Sequence, residues 1–468
     1  MPLTIYDTLT RTQREFKPLK DNRVNMFVCG PTVYDLSHLG HARTYVAYDV
    51  MAKYLRLRGY SVFYIMNITD IDDKIIKRAR ELNTTPFKLA EEMAGEFYRD
   101  LKALKIDSVN LFAKASEHIH EIIQQIKALI EKGYAYVVDG DVYYDISRFP
   151  EYGKLSHQKP EELVKHRIDP NPKKRSPGDF ALWKAAKPGE PSWSSPWGNG
   201  RPGWHIEDTA ITITYFGPQY DIHGGAVELV FPHHEAEIAQ AEAYTGAKPL
   251  VNYWVHTGVL TINGKKMSKS LKNFITVRDA LKESSPEALR MFFLSSHYRS
   301  PIDFTYASLR QSEENVKTIN NVYRELMALM TEDLTTSTPS DGRLFEELKL
   351  IEEKLYKAMD EDFNTPKALA IILQAAKSIN EYLAAEPSLK GVESALKLLE
   401  KIDYIFGFLR AEVSGDGKVE KLMSIIIKIR EELRSRKEYG LSDVLRKHLQ
   451  EAGFVVEDTP TGPRWRYH

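Results

Sequence analysis

Two short motifs, far apart in a chain of 468 residues, constrain its fold more than any other feature: His38-Leu39-Gly40-His41 and Lys266-Met267-Ser268-Lys269-Ser270. The first follows an apolar run, Met26-Phe27-Val28-Cys29, and a Gly30-Pro31-Thr32 break, then opens a helical stretch over Ala42–Arg58 that stops at Gly59. The second follows a strand-like segment from Val255 to Ile262, with an Asn263-Gly264 turn before it. A four-residue H-x-G-H pattern alone carries little, because it recurs by chance in large proteins. Order, separation and flanks carry the inference. Two strand–loop–helix junctions, one bearing imidazoles and one lysines, suit a polyphosphate bound across the ends of a parallel sheet.

The intervening chain agrees with that sheet. The strand near Val24–Cys29 and a second apolar run, Ser61–Met66, alternate with helical segments at the spacing of right-handed crossovers. The second run ends at Asn67-Ile68-Thr69-Asp70, so Thr69 and Asp70 stand where such folds meet a ligand. Asp72 and Asp73 open the next helix, where a carboxylate is favoured by the helix dipole whether or not it has a further role. From about 116 to 200 the character changes. A helix over Ser116–Lys132 leads to Tyr134–Tyr144, read as a hairpin about Asp139-Gly140, and then to Pro160–Pro202, rich in Pro, Gly, Ser and Trp. The sheet is expected to resume near Trp204 and to continue through Trp254.

Beyond the lysine motif the pattern is helical. Thr276-Val277-Arg278-Asp279 reads as a capping box. Val316, Ile319, Val322, Tyr323, Leu326 and Leu329 fall three or four apart, and Asn364-Thr365-Pro366 is a strong helix start, so an antiparallel bundle is predicted to about Phe408. After Ser414-Gly415-Asp416-Gly417, two helices lead to a hairpin ending in Arg464-Trp465-Arg466. An aromatic between two arginines can clamp an unpaired base; a tryptophan closing the end of a small core has the same sequence.

Composition bounds the rest. The length implies three or four domains at ~100–150 residues each. Hydrophobic content of 43% and charged content of 28% are those of an ordinary globular protein. The opening Met1-Pro2-Leu3-Thr4 has no signal-peptide pattern, and no apolar run approaches the ~18 residues of a membrane span. The single cysteine excludes an internal disulfide, and a reducing, cytoplasmic setting is expected. A net charge of −1 excludes a chain coated in positive charge, but local patches can still meet phosphates.

Cys29-Gly30-Pro31-Thr32-Val33-Tyr34-Asp35 running into His38-Leu39-Gly40-His41-Ala42-Arg43 resembles the start of a class I aminoacyl-tRNA synthetase. Gly203-Trp204-His205-Ile206-Glu207 and Phe231-Pro232-His233-His234-Glu235 narrow the resemblance to the cysteinyl-tRNA synthetases, over essentially the whole chain. It implies an α/β protein: a Rossmann-type parallel-sheet catalytic domain split by an insertion, then an α-helical bundle and a small α+β anticodon-binding domain. The boundaries expected are 1–115 and 201–255 for the two catalytic halves, 116–200 for the insertion, 256–310 for the lysine-motif and stem-contact region, 311–412 for the bundle and 413–468 for the last domain. The implied activity is formation of cysteinyl-adenylate from L-cysteine and Mg2+–ATP, then transfer to the 3′ terminal adenosine of tRNA(Cys).

The resemblance also assigns roles. His38, His41, Lys266 and Lys269 would be catalytic, and Gly40, Gly224 and Gly225 would complete the ATP site. Paired imidazoles at a helix N-terminus can meet phosphates, lysines on a mobile loop can close over them, and glycines at a strand end let a backbone approach a ligand. Cys29, Thr69, Trp204 and Glu228 would face the substrate cysteine. Cys29, Asp208, His233 and Glu237 would hold one Zn2+ per chain, His233 and Glu237 lying one helical turn apart. Arg464, Trp465 and Arg466 would meet the anticodon. The chain departs from the family at three of these places: Ala226 stands for a third glycine, Glu228 for an aspartate, and Asp208 for a second cysteine ligand. A metal-free pocket, with Asp208 and His233 hydrogen-bonding the substrate, is the competing arrangement, and Cys29 then becomes a small buried hydrophobe. An amino-sugar ligase with the same activation chemistry and a non-catalytic RNA-binding paralogue are the alternative functions.

Overall fold

Five strands form the central sheet in the order Val251–Thr257, Tyr220–Ala226, Arg23–Val28, Ser61–Ile68, Leu111–Lys114, and every neighbouring pair is parallel. The chain enters in the middle, winds outward through two strands, then returns to the other side of the first. Strand order therefore reverses between Arg23–Val28 and Tyr220–Ala226. The crevice beyond their carboxyl ends is where a doubly wound sheet receives its ligand. Both faces are covered, so the strands are apolar almost throughout; Val62, Tyr64, Ile65, Met66 and Ile68 are all buried. The structure, a computed structural model, describes residues 2–158, 173–267, 273–410, 418–459 and 462–467. It separates into two compact units, Met1–Leu409 and Arg410–His468.

The helix Leu39–Leu57 is buried nearly all round, because it packs against the sheet and against the later helices Pro286–Leu294 and Leu389–Phe406. Arg43 fastens it. Its guanidinium donates to the carbonyls of Gly258 and Val259, each at 2.6 Å, and also to that of Ser300. Burial holds its pKa down to about 10. The first turn of this helix is thus tied to the segment that leads into the lysine motif.

Within the insertion, Ala135–Val138, Asp141–Tyr144, Phe180–Ala185 and Gly200–Pro202 form a four-stranded antiparallel sheet. Asp139 and Gly140 both have positive φ, as the two-residue hairpin turn requires. One expectation fails here. Beyond Trp204 the chain does not return to the sheet but enters the helix Ile206–Phe216, and the strand begins only at Tyr220. Glu207 and Asp208 in the first turn favour a helix start, and Ile206, Ala210 and Ile211 give it a buried stripe. The segment Val255–Ile262 also divides: Leu260–Ile262 leaves the central sheet and pairs with Ile302–Phe304.

Tyr306–Leu329, Asp341–Asp360, Thr365–Leu383 and Leu389–Phe406 pack on one another as a helical bundle. Thr305 and Ser308 cap the first reciprocally, and the Asn364 side chain accepts from Lys367 N–H at 3.2 Å with Pro366 in the first turn. The smaller unit contains Lys418–Ser435, Tyr439–Glu451 and a hairpin of Phe454–Thr459 with Gly462–Tyr467. Its core is Met423, Leu449 and Val456, with Phe454 and Trp465 against it. Among the described residues no helix is long and apolar enough to cross a membrane.

Candidate active site

Four elements bring their polar side chains to the crevice between the two central strands. Cys29 follows the last residue of Arg23–Val28, and Asp208 lies in the first turn of Ile206–Phe216. His223 points in from the strand Tyr220–Ala226, and Glu237 from the first turn of Glu235–Thr245. His233 and His234 precede that helix in a bend at Phe231. All six are buried. Cys29 Sγ lies 3.1 Å from His234 Nε2 and 3.4 Å from both His223 Nε2 and Asp208 Oδ2. His233 Nε2 is 2.9 Å from Asp208 Oδ2 and 3.0 Å from Glu237 Oε1. The ligand atoms of Cys29, Asp208, His233 and Glu237 all lie within 4.8 Å of one another, and so do those of Cys29, His223, His234 and Glu237.

The donor set suits a divalent cation. Both oxygens of Glu237 are buried beside imidazoles, His233 Nε2 at 3.0 Å and His223 Nε2 at 3.5 Å, but neither makes a well-directed hydrogen bond among the described residues; a buried carboxylate left unsatisfied costs ~1–3 kcal/mol or more. Burial, with Asp208 next in effect, pushes the Cys29 thiol and the Glu237 carboxyl well up. Burial drives His223 and His234 well down and His256 to about 3, so these three imidazoles are neutral. Supporting contacts orient the rings, as metal ligands require. His233 Nδ1 meets His205 Nδ1 at 2.8 Å, His234 Nδ1 meets His256 Nε2 at 2.8 Å, and His223 Nδ1 meets Tyr220 Oη at 2.6 Å. The tetrad with Asp208 and His233 combines sulfur, imidazole nitrogen and two carboxylates, all of them donors that zinc accepts.

Asn67, at the end of the neighbouring strand, donates from Nδ2 to Asp208 Oδ1 at 2.6 Å. That leaves Oδ2 facing the sulfur and the imidazole. Thr69 is buried beside it, with its hydroxyl donated to Glu207. Trp204 stacks on His233 with centroids 4.3 Å apart and remains 37% exposed, so it roofs the cluster.

His38 is the N-cap of its helix, its Nδ1 accepting from Gly40 N–H at 3.1 Å and His41 N–H at 3.3 Å. The neutral ring then carries its proton on Nε2. His41 stacks on it at 3.7 Å, and burial lowers the His41 pKa well below its usual value. The motif is therefore a pair of neutral hydrogen-bond donors at a helix N-terminus.

Other expectations resolve differently. A Cβ on Gly224 would meet the Tyr48 ring at 2.6 Å, and one on Gly225 would meet the His234 ring at 2.8 Å. These glycines therefore leave room for the Tyr48 and His234 side chains, a packing role that stands beside the ATP role expected of them. Glu228, expected at the substrate ammonium, is exposed and accepts from Lys266 Nζ at 2.5 Å. Lys269 lies outside the described residues. Asp70 accepts from Ser116, Asp72 caps its helix, and Asp73 pairs with Lys184 and Arg201. Trp465 packs 5.8 Å from Phe454 at the edge of the small core, the structural alternative to a base-stacking ring. The side chains of Arg464 and Arg466 lie outside the described part of the structure, although their backbone belongs to the hairpin. The sequence reading missed Asn67, His223 and His234 as members of the cluster. The tandem His233-His234 was the available signal for the last; nothing local marked Asn67.

Residues 15–314 match the family model described as tRNA synthetases class I (C) catalytic domain, and residues 354–410 match the DALR domain. The chain is 45% identical to the cysteine–tRNA ligase of Thermococcus gammatolerans, covering 100% of this chain and 99% of that one. It is 45% identical to that of Methanococcus maripaludis, covering 98% of each. Among solved structures, Mycobacterium tuberculosis methionyl-tRNA synthetase bound by methionyl-adenylate superposes with a TM-score of 0.61 at 13% identity, over 82% of this chain and 92% of that one. A leucyl-tRNA synthetase of Agrobacterium radiobacter, in a ternary complex with tRNA, gives 0.61 at 12% identity, over 84% and 85%. Those two likenesses speak to the fold.

Proposed function

The chain belongs to the cysteine–tRNA ligase family of class I tRNA synthetases, and we propose how its residues divide the work of that reaction. The enzyme activates L-cysteine with ATP to cysteinyl-adenylate and transfers the cysteinyl group to tRNA. The full-length match to ligases of that name carries the assignment over the amino-sugar ligase and the RNA-binding paralogue. Its test is cysteine-dependent ATP–pyrophosphate exchange together with charging of bulk tRNA. Exchange without charging would return the amino-sugar ligase to consideration.

In the proposed division, the Nε2–H of His38 and the imidazole of His41 donate to the phosphates of Mg2+–ATP, whose charge grows as pyrophosphate departs. Lys266 leaves Glu228 and, with Lys269, closes over the same phosphates. Thr69 and Trp204 bound the cysteine pocket, and Trp204 shields it from water. Arg464, Trp465 and Arg466 are assigned to the anticodon, with the two arginines as the contacts, since Trp465 is engaged in the core. Catalysis rests on positioning and charge stabilisation, with no covalent enzyme intermediate.

Cys29, Asp208, His233 and Glu237 would hold one Zn2+. Bound there, the metal would take the substrate thiolate, which a serine hydroxyl cannot imitate; shape alone separates such near-isosteres by only ~10²-fold. Asp208 in place of a thiolate preserves the ligand charge, and Asn67 keeps its Oδ2 turned inward. The expected result is about one zinc per chain after exhaustive dialysis. Full cysteine activation with serine rejection in metal-free enzyme would favour the hydrogen-bonded pocket instead. Asn67→Ala should weaken metal retention roughly ten- to a hundredfold, as loss of an outer-shell partner does. Competition with a chromogenic chelator measures that directly, and an unchanged affinity would remove Asn67 from the site.

A further inference from the structure

Lys74 stands where helix stability gives it no reason to be. It occupies the first turn of Asp73–Glu81, its N–H capped by Asp72 at 2.8 Å. A cation there opposes the helix dipole. Its acidic neighbour does not hold it, because Asp73 is paired with Lys184 and Arg201. Among the described residues no carboxylate lies within ion-pair distance of Lys74 Nζ. The ammonium instead lies 5.7 Å from the centre of the Tyr34 ring and 6.0 Å from that of Trp204, within the range of an aromatic–cation attraction.

Those neighbours define the place. Trp204 stacks on His233, so one side of Lys74 borders the proposed cysteine and metal pocket. On the other side its charge is felt by His41, contributing after burial and His38 to keeping that imidazole neutral. The reaction joins groups from these two sides. A carboxylate oxygen of cysteine attacks the α-phosphorus of ATP, a C–O–P bond forms, the bond to pyrophosphate breaks, and the electron pair leaves with pyrophosphate. Two anions must approach, and the preceding assignments place His38, His41 and the motif-loop lysines on the phosphates, with no cation assigned to the carboxylate.

We propose that Lys74 contacts substrate, its ammonium offsetting the charge where the amino-acid carboxylate meets the α-phosphate. This rests on the reading of the site as a cysteine-activating centre. Lys74 keeps its proton throughout and transfers none. The aromatic pair seats the cation over the pocket mouth when the substrates are absent, and the flexible stem lets it reach down when they enter.

Lys74→Met keeps the length of the stem and removes the charge; Lys74→Arg keeps the charge. In full-length enzyme, Lys74→Met is expected to lower the kcat of pyrophosphate exchange about ten- to a hundredfold, the range below one buried oxyanion contact because Lys74 is exposed. The KM for cysteine, metal content and Tm should stay near those of the unmodified enzyme, and Lys74→Arg should recover most of the rate. Exchange by Lys74→Met within twofold of the unmodified enzyme would overturn the role, as would equal impairment of Lys74→Arg. Should Lys74→Met melt early, Lys74→Gln takes its place with the same criteria. Absence of cysteine-dependent exchange in the unmodified enzyme would overturn the reading of the site itself.

Discussion

His41→Ala should slow single-turnover formation of cysteinyl-adenylate by about two to three orders of magnitude, the loss of roughly 2.7–4 kcal/mol typical of one preorganised donor to a developing oxyanion. The expectation rests on three features. The ring is held by stacking on His38 at 3.7 Å and on Tyr45 at 6.3 Å, so its position is fixed before substrate arrives. Its Nδ1 is buried without a hydrogen-bond partner among the described residues, which is tolerable for a group awaiting a ligand. Its lowered pKa makes it a neutral donor, so the rate should not fall as pH rises through the ordinary histidine range. His38→Ala is the less informative variant. It also deletes the helix cap, at a cost of ~0.5–2 kcal/mol in stability. Rapid quench with saturating cysteine and ATP checks the prediction, and a rate for His41→Ala within a few-fold of normal would remove the imidazole from catalysis.

What was legible in the sequence follows from how each residue reaches the site. His38 and His41 share a turn, as do His233 and Glu237, and helical spacing reports such pairs directly. Cys29 was placed at the site by the family resemblance, since a cysteine ending an apolar strand reads equally as a small buried hydrophobe. Asn67 was not, since 141 residues separate it from Asp208 and only the crossover between strands brings them together. His223 directly precedes the two glycines expected at ATP and nothing in that setting marks it, yet its side chain faces the sulfur. The helix after Trp204 was mistaken for strand because Ile206, Ile211 and Ile213 in a β-branched run mask a helical stripe; the acidic first turn and Gly217 at the C-cap decided otherwise. In the acidic run Asp70–Asp73 each carboxylate has a structural partner or a cap, in keeping with the helix-start reading of Asp72 and Asp73.

Deleting residues 418–468 should reduce tRNA aminoacylation by more than about a hundredfold while sparing pyrophosphate exchange. Base contacts in unpaired RNA are worth ~1–3 kcal/mol each, and an anticodon offers several. Every residue assigned to activation precedes Ser270, and the larger unit, Met1–Leu409, has its own extensive cores. The smaller unit has a core of its own, Met423, Leu449 and Val456. Loss of exchange in a truncated protein that still melts cooperatively would break the proposed division of labour. The deletion does not say which side chains read the RNA. Trp465→Ala cannot say either, because that ring helps to close the small core and its loss would loosen the hairpin. Arg464→Gln with Arg466→Gln asks the question with the tryptophan retained. If the arginines clamp the base, charging should fall and its dependence on salt should flatten, because fewer phosphate or base contacts release counterions. Normal charging and an unchanged salt slope in that double variant would move anticodon recognition to another part of the unit.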